Sequence, residues 1–187
     1  KKYRSQKILL VEPVPYNIIL LKEKISQYSN IEIEIETSAI SDKNEIKKFY
    51  YVKDESVKKL GKHWASGIGS SNKQHILNHK NKRFFIQDSD IKEIDIQYLT
   101  FSDLIQKYSI ISIDTLQIDV EGAEFEILNT IDFKKTLINK IMFEFKHFDG
   151  TFKDSAGPRL KLIKEKLINA NYLLTEIDEE NILATKN

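Results

Sequence analysis

Thr115-Leu116-Gln117-Ile118-Asp119-Val120-Glu121-Gly122-Ala123-Glu124 changes its period midway, and that change decides the class of fold. Thr115 to Ile118 reads as a strand. Asp119, Glu121 and Gly122 then break the run, after which Phe125, Ile127, Leu128 and Ile131 recur at helical spacing. A strand, a tight turn and a helix in that order form the repeating unit of an α/β protein.

The same alternation extends in both directions. Downstream, Lys140 to Phe145 is a second apolar run, and Pro158 opens a helix expected to turn Leu160, Ile163, Leu167 and Ile168 inward. Tyr172 to Thr175 and Ile182 to Thr185, joined across Asp178 to Asn181, predict a closing antiparallel hairpin. Upstream, Ile8 to Val11 reads as a strand buried on both faces that stops at Glu12-Pro13. Pro15 then suits a first helical turn, with Ile18, Leu21, Ile25 and Tyr28 as the core-facing stripe. Ile31, Ile33 and Ile35 alternate with Glu32, Glu34 and Glu36, the pattern of an edge strand with one wet face. Residues 42–81 are the least regular and hold Gly61, Trp64, Gly67 and Gly69; they read as an inserted, substrate-side region. Within them a strand is expected over Phe49 to Val52 and a short helix from Lys73 to His79. Ile91 to Leu99 is again strand-like, and Ser102 is a candidate helix cap. The expected fold is one domain over residues 1–187. It is a Rossmann-like, doubly wound α/β arrangement with a mostly parallel sheet and a C-terminal antiparallel hairpin.

Composition narrows the partners. A chain of 187 residues that is 41% hydrophobic can bury a sizeable core. Its 29 basic residues nearly cancel its 28 acidic ones, and a net charge of +1 gives no field suited to a nucleic-acid backbone. The absence of cysteine removes disulfides, thiolate nucleophiles and cysteine zinc sites together, which suits a reducing compartment, and cytoplasm is the expectation. No apolar run approaches the roughly 20 residues needed to span a bilayer.

Ligands of open α/β sheets bind beyond the carboxyl ends of the strands, which singles out four places: Glu12, Ser38-Ala39, Asp119 to Gly122, and Glu144 to His147. Glu12 can accept hydrogen bonds from the hydroxyls of an adenosine ribose, although for a lone Glu-Pro the favoured reading is an ordinary surface carboxylate before a turn proline. Small residues at Ser38 and Ala39 would let an adenine ring approach the backbone. Asp119 and Glu121 offer two carboxylates beside a glycine, for ligand contact or for capping the helix. Two carboxylates without a clear histidine partner give little reason for a metal, and none is expected. His147 can take a proton near neutral pH. Trp64 is either a hydrophobic plug or a platform for a sugar face.

At these residues the chain resembles the FkbM family of methyltransferases. Leu116-Gln-Ile-Asp-Val-Glu-Gly-Ala-Glu124 stands where that family carries a hydrophobic residue, Asp, a variable residue and Glu-Gly. Val11-Glu-Pro13, Ala39-Ile-Ser-Asp42, Phe143-Glu-Phe-Lys-His147 and Trp64-Ala-Ser-Gly-Ile-Gly-Ser-Ser71 resemble further family segments in the correct order. The resemblance implies transfer of a methyl group from S-adenosyl-L-methionine to a hydroxyl of a sugar or other natural product. It implies cofactor contacts from Glu12, Pro13, Ser38, Ala39, Asp119 and Gly122. For that reaction we expect His147, just past an apolar strand, to act as base with Glu144 orienting it, Asp119 and Glu121 to shape the transfer crevice, and Trp64, Ser66 and Ser71 to face a small-molecule or glycan acceptor. Val14 departs from the family pattern, where a polar residue often follows the Glu-Pro pair. Family members also begin with a strand and a glycine-rich loop, and nothing before Ile8 supplies them, so these are expected upstream of Lys1. A noncatalytic binding module and a nicotinamide-dependent oxidoreductase are the competing readings.

Overall fold

The computed structural model describes residues 7–61, 63–81, 84–120, 122–146, 148 and 157–187, and gives only the backbone of 63, 64, 80, 81 and 84. The chain divides into two compact units, one of Lys1–Ala39 with Glu45–Tyr98, the other of Ile40–Asn44 with Leu99–Asn187.

The first unit opens with β1 (Lys7–Val11), α1 (Pro15–Ile25) and β2 (Glu32–Glu36), a strand, helix and strand whose two strands pair in parallel from Lys7 beside Glu32 to Val11 beside Glu36. Pro15 sits in the first turn of α1, where its missing N–H costs no hydrogen bond. Three expectations need correction here. β1 is not buried on both faces, since Ile8 and Val11 remain exposed. No residue of α1 is fully buried; Ile18, Leu21 and Ile25 are half-buried, and Tyr28 is exposed. Glu36, expected on a wet face, is buried.

β3 (Ala39–Ser41) and β4 (Glu45–Val52) follow, then α2 (Asp54–Leu60), a 3-10 turn over His63–Gly67, β5 (Gly69–Ser70), α3 (Lys73–Asn78), β6 (Lys80–Asn81), β7 (Phe84–Phe85) and β8 (Ile91–Thr100). The stretch expected to be irregular is therefore mostly regular. Within this unit β8, β4 and β5 are neighbours in that order, with β4 antiparallel to β8 from Glu45 beside Tyr98 to Val52 beside Ile91. Two apolar clusters fill this unit. Val52, Ile68, Ile76, Ile86 and Ile91 make one; Val14, Ala39, Phe49, Tyr51 and Tyr98 make the other. Gly69 serves the second cluster, because a Cβ there would lie 2.5 Å from the Phe49 ring.

In the second unit, α4 (Phe101–Lys107) is capped by Thr100, whose hydroxyl accepts from the Asp103 amide at 3.1 Å; the expected cap Ser102 lies inside the helix. β9 (Ser112–Ile118), α5 (Glu124–Thr130) and β10 (Leu137–Glu144) form a second strand, helix and parallel strand. α6 (Pro158–Ile168), β11 (Tyr172–Glu176) and β12 (Asn181–Lys186) complete it, and the sheet order is β11-β12-β10-β9. The closing hairpin is antiparallel as expected. Leu160, Ile163 and Leu167 point one face of α6 into a core with Ile118, Leu128, Ile141, Phe143 and Ile182, whereas Ile168 is exposed, contrary to expectation. Each such fully buried side chain contributes about 1.5–3 kcal/mol. The fold is mixed α/β with several sheets. Among the described residues, β1 with β2 and β9 with β10 pair in parallel, while β10 with β12, β11 with β12, β4 with β5, β4 with β8 and β6 with β7 pair antiparallel.

Candidate functional site

Each unit gathers acidic side chains at the carboxyl end of a parallel strand. In the first, β1 delivers Glu12, and the Glu12 amide still donates to the Glu36 carbonyl at 2.9 Å, so the ladder with β2 holds up to the last strand residue. Pro13 then turns the chain into α1. The turn folds back on the carboxylate: the Val14 amide donates to Glu12 Oε1 at 2.7 Å, and Asn17 Nδ2 donates to Oε2 at 3.1 Å. Burial raises the Glu12 carboxyl above its ordinary range, and these two hydrogen bonds act in the opposite direction. A carboxylate offers about four lone-pair sites, so two accepted bonds leave room for two hydroxyl donors.

On the neighbouring strand, Glu36 Oε1 accepts from the Ser38 amide at 2.9 Å. Ser38 and Ala39 are both buried, Ala39 within the Val14 and Phe49 cluster. Asn17 Nδ2 also donates to the Ser66 carbonyl at 2.9 Å, so the turn carrying Ser66 is joined to the Glu12 end of β1. Ser71 is exposed beyond β5. The Trp64 backbone belongs to the same 3-10 turn as Ser66, and its side chain lies outside the described residues. Tyr16, one residue before Asn17, donates from its hydroxyl to the Val52 carbonyl at 3.0 Å, and burial holds its phenol well above the usual tyrosine range.

In the second unit, Asp119 follows β9, Glu144 ends β10, and Glu124 opens α5. One carboxylate oxygen from each lies within 4.8 Å of the others, close enough to share a cation. Glu124 is the residue that sequence reasoning passed over. It is 0% exposed, and its two oxygens accept from the Val120 and Gly122 amides, both at 2.9 Å. Thus the helix-side carboxylate that binds the turn is Glu124. Gly122 adopts a φ of 103, a conformation for which glycine is suited. The expected roles of Glu121 and His147 fall outside the described residues.

The acidic residues at the ends of two parallel strands stand where ligands bind in open α/β sheets. The family model of the methyltransferase FkbM domain matches residues 2–174, and the chain belongs to that family of methyltransferases. No curated protein and no solved structure matches it. No helix among the described residues is long and apolar enough to cross a membrane.

Proposed function

We propose that this methyltransferase uses S-adenosyl-L-methionine to methylate a hydroxyl of a sugar or other natural product. The observation that carries the reading is Glu12: a strand-end carboxylate with each oxygen held by one donor and with acceptor capacity left for the two hydroxyls of a ribose. The two strand, helix and strand units, β1-α1-β2 and β9-α5-β10, support a Rossmann-like, doubly wound arrangement.

The cofactor supplies an electrophilic methyl group on a sulfonium. This chain's residues then have two tasks, alignment and proton removal. Glu12 fixes the ribose, with Pro13 setting the turn and Ser38 and Ala39 bordering adenine. Asp119, Glu121 and Gly122 shape the transfer crevice. His147 would take the acceptor hydroxyl's proton at a ring nitrogen, with Glu144 orienting that ring. Trp64, Ser66 and Ser71 face the acceptor.

Calorimetric titration of the full-length protein with S-adenosylmethionine tests the cofactor half of the reading. Glu12→Ala should weaken binding about tenfold or more, the loss of hydrogen bonds to a charged group. His147→Ala should leave that affinity nearly unchanged while slowing single-turnover methyl transfer about 100-fold to 10,000-fold, once a panel of monosaccharides and glycosides has supplied an acceptor. Parental affinity in Glu12→Ala would return Glu12 to a surface carboxylate.

A further inference from the structure

Asn17 stands in α1, five residues after Glu12, and its side-chain nitrogen makes two contacts that no single local motif requires. It donates to Glu12 Oε2 at 3.1 Å and to the Ser66 carbonyl at 2.9 Å. An amide NH2 carries two hydrogens, and both are used. Glu12 Oε1 is held by the Val14 amide at 2.7 Å, so the carboxylate is fixed from two sides, one of them local and the other reaching the 3-10 turn of His63–Gly67.

We propose that Asn17 is a positioning residue that sets the Glu12 carboxylate for the cofactor ribose and ties it to the turn carrying Ser66. The proposal rests on the reading of Glu12 as the ribose acceptor. Its physical basis is the choice of an amide. A lysine or arginine at this point would neutralise Glu12 and compete with hydroxyl donors; an aspartate would set two carboxylates against each other. An amide donates without adding charge, so Glu12 keeps its negative charge and its remaining lone pairs for a ligand. Without the second tether the carboxylate regains rotamer freedom, and binding must then remove it again.

The electrostatics give this role a signature that packing alone lacks. Burial raises the Glu12 carboxyl, while the Val14 and Asn17 hydrogen bonds favour its charged form. Among the described residues, the Tyr16 phenol on α1 feels the Glu12 charge directly, and Asp54 on α2 and Tyr51 on β4 act on the same phenol. Removing the Asn17 bond should therefore raise Glu12 further. Ribose hydroxyls are accepted by the ionised carboxylate, so affinity falls as pH drops through the Glu12 titration, and the midpoint of that fall should move to higher pH.

The test is calorimetric binding of S-adenosylhomocysteine, which carries the same ribose, to the full-length protein between about pH 4.5 and 8. Asn17→Ala should bind roughly fivefold to tenfold more weakly at pH 7, with its midpoint displaced upward. Asn17→Asp keeps the shape of the side chain and serves if the alanine variant does not fold. It should bind more weakly than the parent and have a higher midpoint, because the second carboxylate disfavours the charged form of Glu12. Parental affinity and midpoint in both variants, alongside weakened binding in Glu12→Ala, overturns the role of Asn17 and leaves the ribose reading standing. Weaker binding with an unmoved midpoint also overturns it, since packing alone then accounts for the loss. Parental affinity in Glu12→Ala overturns the ribose reading itself.

Discussion

Glu12 combines two tendencies that a residue kept only for stability would avoid together: it is partly withdrawn from water, and its carboxyl is raised by that burial. The sign of the effect on folding follows from linkage. With the folded value above the ordinary 4.5, the folded state binds more protons than the unfolded state between the two values, so stability falls as pH rises through that window and stays lower above it. Glu12→Gln removes the ionisation. One of its two acceptor oxygens becomes a donor facing the Val14 amide or Asn17, a fixed cost, so in the absence of ligand the difference in melting temperature, variant minus parent, should be more positive at pH 7 than near pH 4. Scanning calorimetry at pH 7 and near pH 4 decides it, and a gap of equal size at both would remove ionisation as the cause. Stability lost to a charge that a ligand later uses is the ordinary cost of a binding site.

The junction of β9 and α5 shows how an element can depend on one side chain. Gly122, with a φ of 103, lets the chain turn sharply, and the turn leaves amides directed toward the start of the helix. Glu124 accepts two of them from within the first turn of α5, where negative charge also suits the helix dipole. Glu124→Ala should destabilise the protein by about 3 kcal/mol or more, because it leaves both amides without that acceptor. Glu124→Gln, which retains one carbonyl acceptor, should cost less. Urea unfolding gives both values, and a parental midpoint for the alanine variant would show that other groups hold the turn.

This junction was legible as a strand, turn and helix because its apolar period changes, yet Glu124 was not, since burial of a carboxylate satisfied by backbone amides leaves no mark on a hydrophobic pattern. α2 was missed for a related reason. Only Ser56 of its seven residues is buried, and its apolar stripe is no more than Val57 and Leu60; its usable signals were Asp54 and Glu55 in the first turn and Gly61 at the C-cap with a φ of 61. β4 was half-read because Glu45 to Lys48 are exposed and only its second half packs inward. Asn17 had no signature at all. Its importance comes from Ser66, 49 residues away in sequence, and a single sequence does not record that separation closing.

At the scale of the whole molecule, each compact unit carries its own core and its own strand-end acids, and the proposed cofactor has to bind the folded chain. Ligand-linked stability addresses this directly. Anything that binds the folded state alone stabilises it by about 2.7 kcal/mol at 100 times its dissociation constant, or roughly 5–11 °C in melting temperature for a protein of this size. S-adenosylmethionine and S-adenosylhomocysteine should each raise the melting temperature of the full-length protein by that order at saturating concentration, whereas NAD should not. The Glu12→Ala variant separates cofactor stabilisation from weak, nonspecific binding: at the same ligand concentration its shift should shrink by about 1.4 kcal/mol for each tenfold loss of affinity. A shift with NAD and none with the sulfonium compound would favour the oxidoreductase reading, since Glu12 suits that ribose equally. No shift with any of the three would favour a binding module without a cofactor, and the strand-end acids would then need a different ligand.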